Sequence, residues 1–417
     1  MEPAPVKALT AMSNPIVLRA ISLLGLVMMM AIAWAMSEDR RRVSWRIVGW
    51  GLGLQFAFAL LVLRTGFGLV FFETVRSAFL LFTDATREGA RFLFGTLTED
   101  YQIGAIMAFQ VLPVIVFVSA LAGVLQHLGV IQVVVRGMAW LMRRTMKTSG
   151  AETFAASLLV FMGIEAVTSI RGYVRAMTRS ELCTVLTTFM ATIAASVMVV
   201  YASFGAKPGH LLAASLMSAP AAILISKLMV PETGSPETVG NAAIVIPVES
   251  HNVVDAAARG ASDGLHLALN VGAMLVAFIG LVYLADRGMV AVTGVTLSHV
   301  MGWVFVPFAW LMGVAPDDVV TVAQLLGKKT VLNEFLAYAD LKPLIEQGAI
   351  SQRSITIATY ALCGFANPGS LGIMMGAATA LMPERRGEVA ALGLKAFVGG
   401  TLAAFMTACV AGIIVNA

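Results

Sequence analysis

Two glutamates stand inside apolar stretches of the sequence, Glu165 in GIEAV and Glu334 in VLNEFLA. A third apolar run contains the stretch CGFANPGSLG, residues 363–372, which holds an Asn, a Pro, a Ser and three Gly. A carboxylate, an amide and a hydroxyl can together donate to and accept from the hydrogen-bonding groups of a polar solute. These residues are therefore the first candidates for a binding site, and an ionisable side chain at membrane depth is usually functional.

The stretch 363–372 also predicts a break in a helix. Pro368 removes one backbone donor and disrupts the helix before it, and Gly364 and Gly369 permit a bend. Non-helical backbone at membrane depth persists only where protein or a water-filled cavity satisfies its polar groups. We therefore predict a polar notch, formed by Asn367 and Ser370, that faces a cavity; the alternative is a structural proline kink.

The composition defines the surroundings of these residues. The chain has 417 residues, of which 59% are hydrophobic and 12% charged, whereas a soluble domain has about 25% charged residues. An all-α polytopic membrane protein is the fold class that this deficit indicates, with lipid as one partner. The net charge of +4 comes from short clusters, which gives no sign of a nucleic-acid partner. The three cysteines predict buried packing residues without a disulfide framework.

About eight apolar segments are long enough to span a bilayer. They are 16–36, 44–63, 103–128, 183–204, 209–230, 264–285, 354–382 and 392–415. Segment 66–98 mixes aromatic and charged residues and predicts an interfacial helix. Segments 150–174 and 316–342 are interrupted by Gly and acidic residues and predict re-entrant hairpins. The first span shows no cleavage site and is expected to be retained.

Basic residues predict the orientation of these spans, because positive charges favour the cytoplasmic side. They form four groups: Arg40, Arg41, Arg42 and Arg46; Arg136, Arg143, Arg144 and Lys147; Arg171, Arg175 and Arg179; Arg385 and Arg386. If all four groups face the cytoplasm, both termini face outward.

The two glutamates belong to a repeated pattern. A hairpin with GIEAVTS at its tip precedes a span containing MATIAAS, and a hairpin with VLNEFLA precedes a span containing GFANPGS. Each broken span is followed by an uninterrupted, or plain, span. This order is typical of an inverted repeat in a secondary transporter, whose substrate binds near the bilayer midplane. The predicted division is 1–130 and 263–315 as scaffold or central segments, 131–230 and 316–417 as the two repeats, and 231–262 as a polar linker. Asp263, His266, Phe335 and Tyr338 are weaker candidates for the site.

Long stretches around these motifs resemble the concentrative nucleoside transporter family. They are KKTVLNEFLAYADL, ALCGFANPGSLGIMMG, MTRSELCTVLTTFMATIAAS and GLHLALNVGAMLVAFIGL, and the likeness extends from about residue 14 to the end. The resemblance implies a homotrimer of eight-span protomers in a bacterial inner membrane. It also implies nucleoside–cation symport by an elevator motion, with no enzymatic activity.

The resemblance also assigns roles to residues. It implies that Glu334, Asn367 and Ser370 hold the ribose, with Phe365 nearby, and that Val197 and Leu267 make apolar contacts to the base. A site built to bind hydroxyl groups discriminates against analogues that lack them, because its own polar groups are then left unpaired.

The first hairpin departs from the family pattern, which reads N-x-x-x-G-Q-[ST]-E-A-P. The stretch here is LVFMGIEAV, so Gly163 and Glu165 are kept, whereas one Ile164 replaces the two base-contacting polar residues. The family's sodium-ligating Asn corresponds to Leu159. The resemblance implies that a residual sodium site would use the Thr192 hydroxyl and the carbonyls of Met162 and Ile193 as ligands.

Three functions remain open at this point. The first is a cation-coupled nucleoside symporter, and the second is a transporter of a modified or other ribosylated substrate driven by protons or weakly coupled. The third is an enzyme or receptor that keeps the fold, which is disfavoured because the sequence shows no nucleophile with a base, no metal cluster and no phosphate-binding loop. Sodium or a proton is the expected coupling ion, no other cofactor is implied, and the base preference stays open.

Overall fold

A computed structural model describes residues 14–98, 108–109, 112–163, 171–238 and 250–415. Within these ranges the chain is helical, apart from short loops, and contains no strand. Five segments of the described chain are long and apolar enough to cross a membrane, and one of them, Arg179–Ser203, consists of two consecutive helices. A sixth is counted if a pair of helices bent by 75° forms one span. The prediction of an all-α polytopic membrane protein is confirmed.

The first part of the chain forms two helices long and apolar enough to cross a membrane, a third long helix, and a bent pair. The helices are α1 Pro15–Ala35, α2 Trp45–Arg64, α3 Gly66–Phe94, α4 Leu112–His127 and α5 Val130–Met146. The first two match the predicted spans within one residue, and α3 lies inside the predicted interfacial segment. The bend of 75° separates α4 from α5, where Gly129 adopts a left-handed conformation. The first residues of predicted span 103–128 lie outside the described ranges.

The predicted order of hairpin, broken span and plain span occurs twice. The first set is α6 Gly150–Leu159, α7 Arg171–Val174, α8 Arg179–Ala191, α9 Ala195–Ser203 and α10 Pro208–Met229. Between the two sets lie α11 Val253–Thr293 and α12 Leu297–Leu311. The second set is α13 Val319–Val331, α14 Glu334–Glu346, α15 Gln352–Leu362, α16 Pro368–Leu381 and α17 Arg386–Ile414. Residues 164–170, at the tip of the first hairpin, lie outside the described ranges.

The central helix α11 is longer than the sequence pattern predicts. It has 41 residues, or roughly 60 Å at 1.5 Å per residue, and it begins at Val253 where Asn252 caps its first turn. The predicted linker 231–262 therefore includes the first turns of a helix. The sequence pattern located only the apolar part, because the polar and small residues before it carry no hydropathy signal although they suit a helix.

Packing divides these helices into two groups. The largest helix–helix contact joins α4 to α11, where small residues such as Gly123, Gly260 and Gly264 let the two backbones approach closely. By contrast, α1 packs on α17, and α2 packs on α10. The division of the chain into scaffold and transport segments stays a prediction, but this packing associates α1 and α2 with the repeats.

Members of the predicted basic clusters meet at one end of the bundle. Glu38 accepts hydrogen bonds from Arg179 at 2.8 Å and from Lys395 at 2.7 Å. These bonds, the one from Arg179 first, lower the pKa of the Glu38 carboxyl to about 2. Arg385 donates to the Met177 carbonyl at 2.7 Å, and Arg46 donates to the Thr145 carbonyl at 2.9 Å. The charge pattern is thus consistent with one cytoplasmic face.

Buried polar contacts fix the start of the first hairpin and the start of the first broken span. Ser149 and Glu152 form a capping box at the start of α6, and Thr178 and Glu181 form another at the start of α8. The Lys227 ammonium, at the end of α10, lies 2.7 Å from the Glu152 carboxylate. Because each partner satisfies a charge that is shielded from water, this pair ties α6 to α10.

The two broken spans cross at their breaks. Gly364, between α15 and α16, faces the backbone of Met190 and Ala191 at the end of α8. A Cβ atom on Gly364 would stand 3.0 Å from each of those two carbonyl oxygens, and its φ of +156° is one that side chains rarely adopt. Only glycine permits this crossing, and the crossing determines the relative position of the two halves of the site.

We expect Gly364→Ala to lower the melting temperature of the purified protein by several degrees, because the contacted atoms are backbone and cannot rotate away. The matched control is Gly372→Ala in α16, where an added Cβ meets nothing within 4 Å. Alanine favours a helix over glycine by about 1 kcal/mol, so the control should not lose stability. A thermal-unfolding measurement on both variants checks this, and equal stabilities would contradict the role given to the crossing.

Candidate substrate site

A cavity of about 280 Å³ opens between the α4–α11 pair and the repeats. Its walls come from α4, α8, α9, α11, α14 and α16 and from the loops beside them. The lining residues are Ile115, Gly163, Phe189, Ala194, Val197, Tyr201, Asp263, His266, Leu267, Asn270, Val271, Leu332, Asn333, Glu334, Phe335, Phe365, Asn367, Gly369, Ser370 and Ile373. The cavity is mostly apolar, with its polar groups concentrated near Glu334 and along one side of α11.

Glu334 is the first residue of α14 and is only 5% exposed. Tyr201 donates its hydroxyl proton to Oε1 of Glu334 at 2.7 Å, and the Asn367 amide donates to Oε2 at 2.7 Å. Among the described residues, each carboxylate oxygen has one side-chain partner, and a carboxylate offers about four lone-pair sites in all.

Asn367 and Ser370 lie at the start of α16, after the break predicted from Pro368. Asn367 caps this helix by accepting the Ser370 backbone N–H on Oδ1 at 2.8 Å, while its amide also donates to Ser370 Oγ at 3.0 Å. Asn333 caps α14 in the same way by accepting the Leu336 backbone N–H at 3.0 Å. Two helix N-termini therefore converge on the Glu334 side chain, and each presents a partial positive charge to it.

Aromatic rings frame these polar groups. Tyr201 stacks on Tyr338 with ring centroids 4.4 Å apart, and Phe189 lies 5.6 Å from Phe365. The Tyr338 hydroxyl points away from Glu334, because it donates to the Thr359 carbonyl at 2.7 Å. This packing fixes the Tyr201 ring, so its hydroxyl stays directed at Glu334.

The structure brings most of the predicted substrate residues together. The six that line the cavity are Val197, Leu267, Glu334, Phe365, Asn367 and Ser370, and the weaker candidates Asp263, His266 and Phe335 also line it. Tyr338 is not among the lining residues, and its ring stacks on that of Tyr201. Glu165 lies outside the described residues. The roles of all these residues stay predictions.

Sequence reasoning missed several lining residues, and Tyr201 is the most important. It occupies an apolar helix, and its partner Glu334 is 133 positions away, so no local pattern connects them. One signal was present: Tyr201 follows Val197 by one helical turn and so shares its face. Asn270 on α11 was also missed, although it stands one turn beyond His266 on the cavity side.

The residues proposed for a sodium ion lie near the contact between the first hairpin and the first broken span. The Phe161 carbonyl accepts the Ala195 N–H at 3.1 Å, which brings Met162 near the break that contains Thr192 and Ile193. The Thr192 hydroxyl donates to the Thr188 carbonyl at 2.9 Å, so its lone pairs remain free to act as ligands. Leu159 is buried and offers no lone pair. These donors fit a sodium ion poorly, because two carbonyls and one hydroxyl are few for such an ion.

Family models match almost the whole chain. The model described as "Na+ dependent nucleoside transporter N-terminus" covers residues 24–97, the one described as "Nucleoside recognition" covers 108–208, and the one described as "Na+ dependent nucleoside transporter C-terminus" covers 210–412. Two of these three descriptions name a sodium-dependent nucleoside transporter, so the class that they define is a membrane transporter.

Similar proteins and a similar solved structure indicate the same family. The chain is 40% identical to the uncharacterized transporter YutK of Bacillus subtilis (strain 168), over 94% of this chain and 98% of that protein. It is also 40% identical to the solute carrier family 28 member 3 of Mus musculus, but it spans only 58% of that protein's length. The structure of CNTnw in an inward-facing substrate-bound state matches with a TM-score of 0.88 at 35% identity, covering 95% of this chain and 98% of that one. The chain belongs to the concentrative nucleoside transporter family.

Proposed function

We propose that this protein takes up nucleosides by cation-coupled symport, and that it holds the ribose with Glu334, Asn367 and Ser370. The observation that carries the proposal is the Glu334 carboxylate, which lines the cavity and is fixed there by hydrogen bonds from Tyr201 and Asn367. Family membership supports the same reading. A bacterial inner membrane and a homotrimer are part of the proposal.

A ribose carries two neighbouring hydroxyl groups, which match the chemistry of this cluster. Both can donate to one carboxylate, and hydrogen bonds to a charged group contribute about 1.5–3 kcal/mol each. The Ser370 hydroxyl accepts a hydrogen bond from the Asn367 amide, so its own O–H remains available to donate one. The cluster thus offers acceptors and a donor to one sugar face.

The opposite wall of the cavity would contact the base. Leu267 and Val271 give α11 an apolar surface, and Val197 faces the same cavity from α9. Asp263, His266 and Asn270 add polar groups at helical spacing on this wall, and they are candidates to discriminate between bases. The changed first hairpin leaves this half of the site less defined, which also favours a modified or other ribosylated substrate as the second candidate.

The packing of the helices suggests which of them would move in an elevator mechanism. The cavity lies where the α4–α11 pair meets the helices that carry Glu334 and Asn367. Since α1 packs on α17 and α2 packs on α10, we propose that all four of these helices move with the two hairpins past the α4–α11 pair. The substrate would then remain bound to one group of helices throughout the movement.

We expect uridine and adenosine to bind, and uracil and adenine to bind poorly, because the well-defined polar contacts are on the ribose side. A thermal-shift screen of purified protein measures this, since ligand binding to the folded state raises its apparent stability. Free ribose and the 2′-deoxynucleosides belong in the same screen. Binding of uracil as tightly as uridine would show that the ribose is not the main recognition element.

We expect Glu334→Gln to abolish nucleoside uptake while the protein stays folded, because the amide keeps the size but loses the charge-assisted hydrogen bonds. Tyr201→Phe should raise KM roughly tenfold, because one hydrogen bond to a charged group is lost. The control is Tyr283→Phe on the exposed side of α11, which should leave KM unchanged. Uptake into proteoliposomes is the measurement, and near-wild-type uptake by Glu334→Gln would remove Glu334 from the site.

The coupling ion is a separate question, on which Leu159 bears. It ends α6 and is buried, and its apolar side chain offers no ligand for a cation. We propose that transport is driven by protons, or is at least not strictly dependent on sodium, with Glu165 and Glu334 as the proton acceptors. The alternative is a weak sodium site completed by water and backbone.

We expect an inward proton gradient in sodium-free buffer to drive accumulation of labelled nucleoside in proteoliposomes. A sodium gradient at equal pH on both sides should drive little, because the apolar Leu159 side chain supplies no ligand. The matched variant is Leu159→Asn, which adds an amide oxygen and should increase the response to sodium. Accumulation driven by sodium alone in the unchanged protein would exclude the proton mechanism.

A further inference from the structure

The α11 wall of the cavity carries an acidic side chain that has no partner in the described chain. Asp263 lines the cavity together with His266 and Asn270, which share its face of the helix because they follow it at helical spacing. The described residues form no hydrogen bond or ion pair with the Asp263 carboxylate. Arg259, one turn earlier, does not line the cavity and pairs instead with Asp255 at 3.2 Å.

The charged side chains that line this cavity are acidic. They are Asp263 and Glu334, and the described lining includes neither lysine nor arginine. Glu334 accepts hydrogen bonds from Tyr201 and Asn367, whereas Asp263 has no such partner. Asp263 alone therefore gives the cavity a negative charge, whether or not Glu334 carries a proton. A cleft with apolar walls and charges of one sign concentrates its electrostatic potential, so this cavity attracts positive charge.

Asp263 faces the part of a substrate that the ribose contacts leave free. In the function proposed above, the ribose is held by Glu334, Asn367 and Ser370, and the base meets the opposite wall. That wall includes Leu267, one turn beyond Asp263 on the same face of α11. A base that contacts Leu267 therefore lies close enough to interact with the Asp263 carboxylate.

We propose that this site prefers ribosides whose base carries a positive charge, such as nucleosides methylated on a ring nitrogen, and that Asp263 determines this preference. The inference rests on the proposed function, because it assumes that the ribose is held at Glu334. A hydrogen bond from a cationic base to a carboxylate is stronger than one from a neutral base, and apolar surroundings strengthen the attraction between the two charges. The preference does not depend on which ion drives transport.

Four nucleosides separate the charge of the base from its shape. At neutral pH 3-methylcytidine is a cation, 3-methyluridine is neutral with almost the same shape, and cytidine and uridine are the neutral pair without the methyl group. Isothermal titration calorimetry on the purified full-length protein gives each Kd. The ratio of Kd for 3-methyluridine to that for 3-methylcytidine, divided by the ratio for uridine to cytidine, isolates the charge. We expect this charge preference to be roughly tenfold in favour of the cation.

Three variants assign the preference to one residue. Asp263→Asn keeps the size of the side chain and removes its charge, so the charge preference should fall below about twofold. Asp263→Glu restores the charge and should retain about half of the preference or more. The matched control is Asp317→Asn, which removes an exposed carboxylate outside the cavity and should leave the preference unchanged.

The four ligands also distinguish this inference from the proposed function. A charge preference near one in the unchanged protein, or one that survives Asp263→Asn, overturns the inference while the ribose site stands. Binding of cytidine and uridine without binding of 3-methylcytidine has the same consequence. If none of the four nucleosides binds, the proposed ribose site is wrong and the inference fails with it. The measurement on the unchanged protein tests the preference even if Asp263→Asn does not fold.

Discussion

The constraint that shapes this protein is a carboxyl group kept away from bulk water. Glu334 can lie in the protein interior only if nearby groups replace the hydration it loses. The structure supplies a phenol from Tyr201, an amide from Asn367 and the N-termini of α14 and α16. Every one of these groups except the phenol requires a helix that begins inside the membrane. The re-entrant hairpin and the broken span are therefore consequences of placing the carboxylate there.

Helices that begin and end inside a membrane create a second requirement, because each break exposes backbone groups that lipid cannot satisfy. The two breaks meet at Gly364, where the missing side chain lets one broken span approach the Met190 and Ala191 carbonyls of the other. Side chains satisfy several of the helix ends: Asn333 and Asn367 at N-termini, and Tyr338 and Lys329 at the C-terminus of α15. Binding groups and structural caps are thus largely the same residues.

This overlap explains how much the sequence could predict. Asn, Pro and Gly inside an apolar run must break a helix, and a glutamate there must have partners, so the notch and the hairpin were predictable from local chemistry. The partner Tyr201 was not, because its contact with Glu334 depends on how distant helices pack. The length of α11 was missed for a related reason: hydropathy detects the part of a helix that lies in lipid and does not detect its polar extension. The packing of α1 and α2 on the repeats also depends on tertiary contacts alone.

The two hairpins satisfy the same geometric requirement by different chemistry. The second carries Lys329, Glu334 and the Asn333 cap, and Glu334 accepts a hydrogen bond from the Asn367 cap of the broken span, so directed hydrogen bonds to charged groups determine its position. The described helix of the first hairpin, α6, is fully buried and ends in Leu158 and Leu159. Its start is held by the ion pair of Glu152 with Lys227. Beyond its end, the Val160 carbonyl accepts from the Ser215 hydroxyl at 3.2 Å and the Phe161 carbonyl accepts from the Ala195 N–H at 3.1 Å. Such neutral hydrogen bonds are weaker than those to charged groups, so variation in ion coupling and base preference is most easily accommodated at the first hairpin, where this chain departs from the pattern of its family.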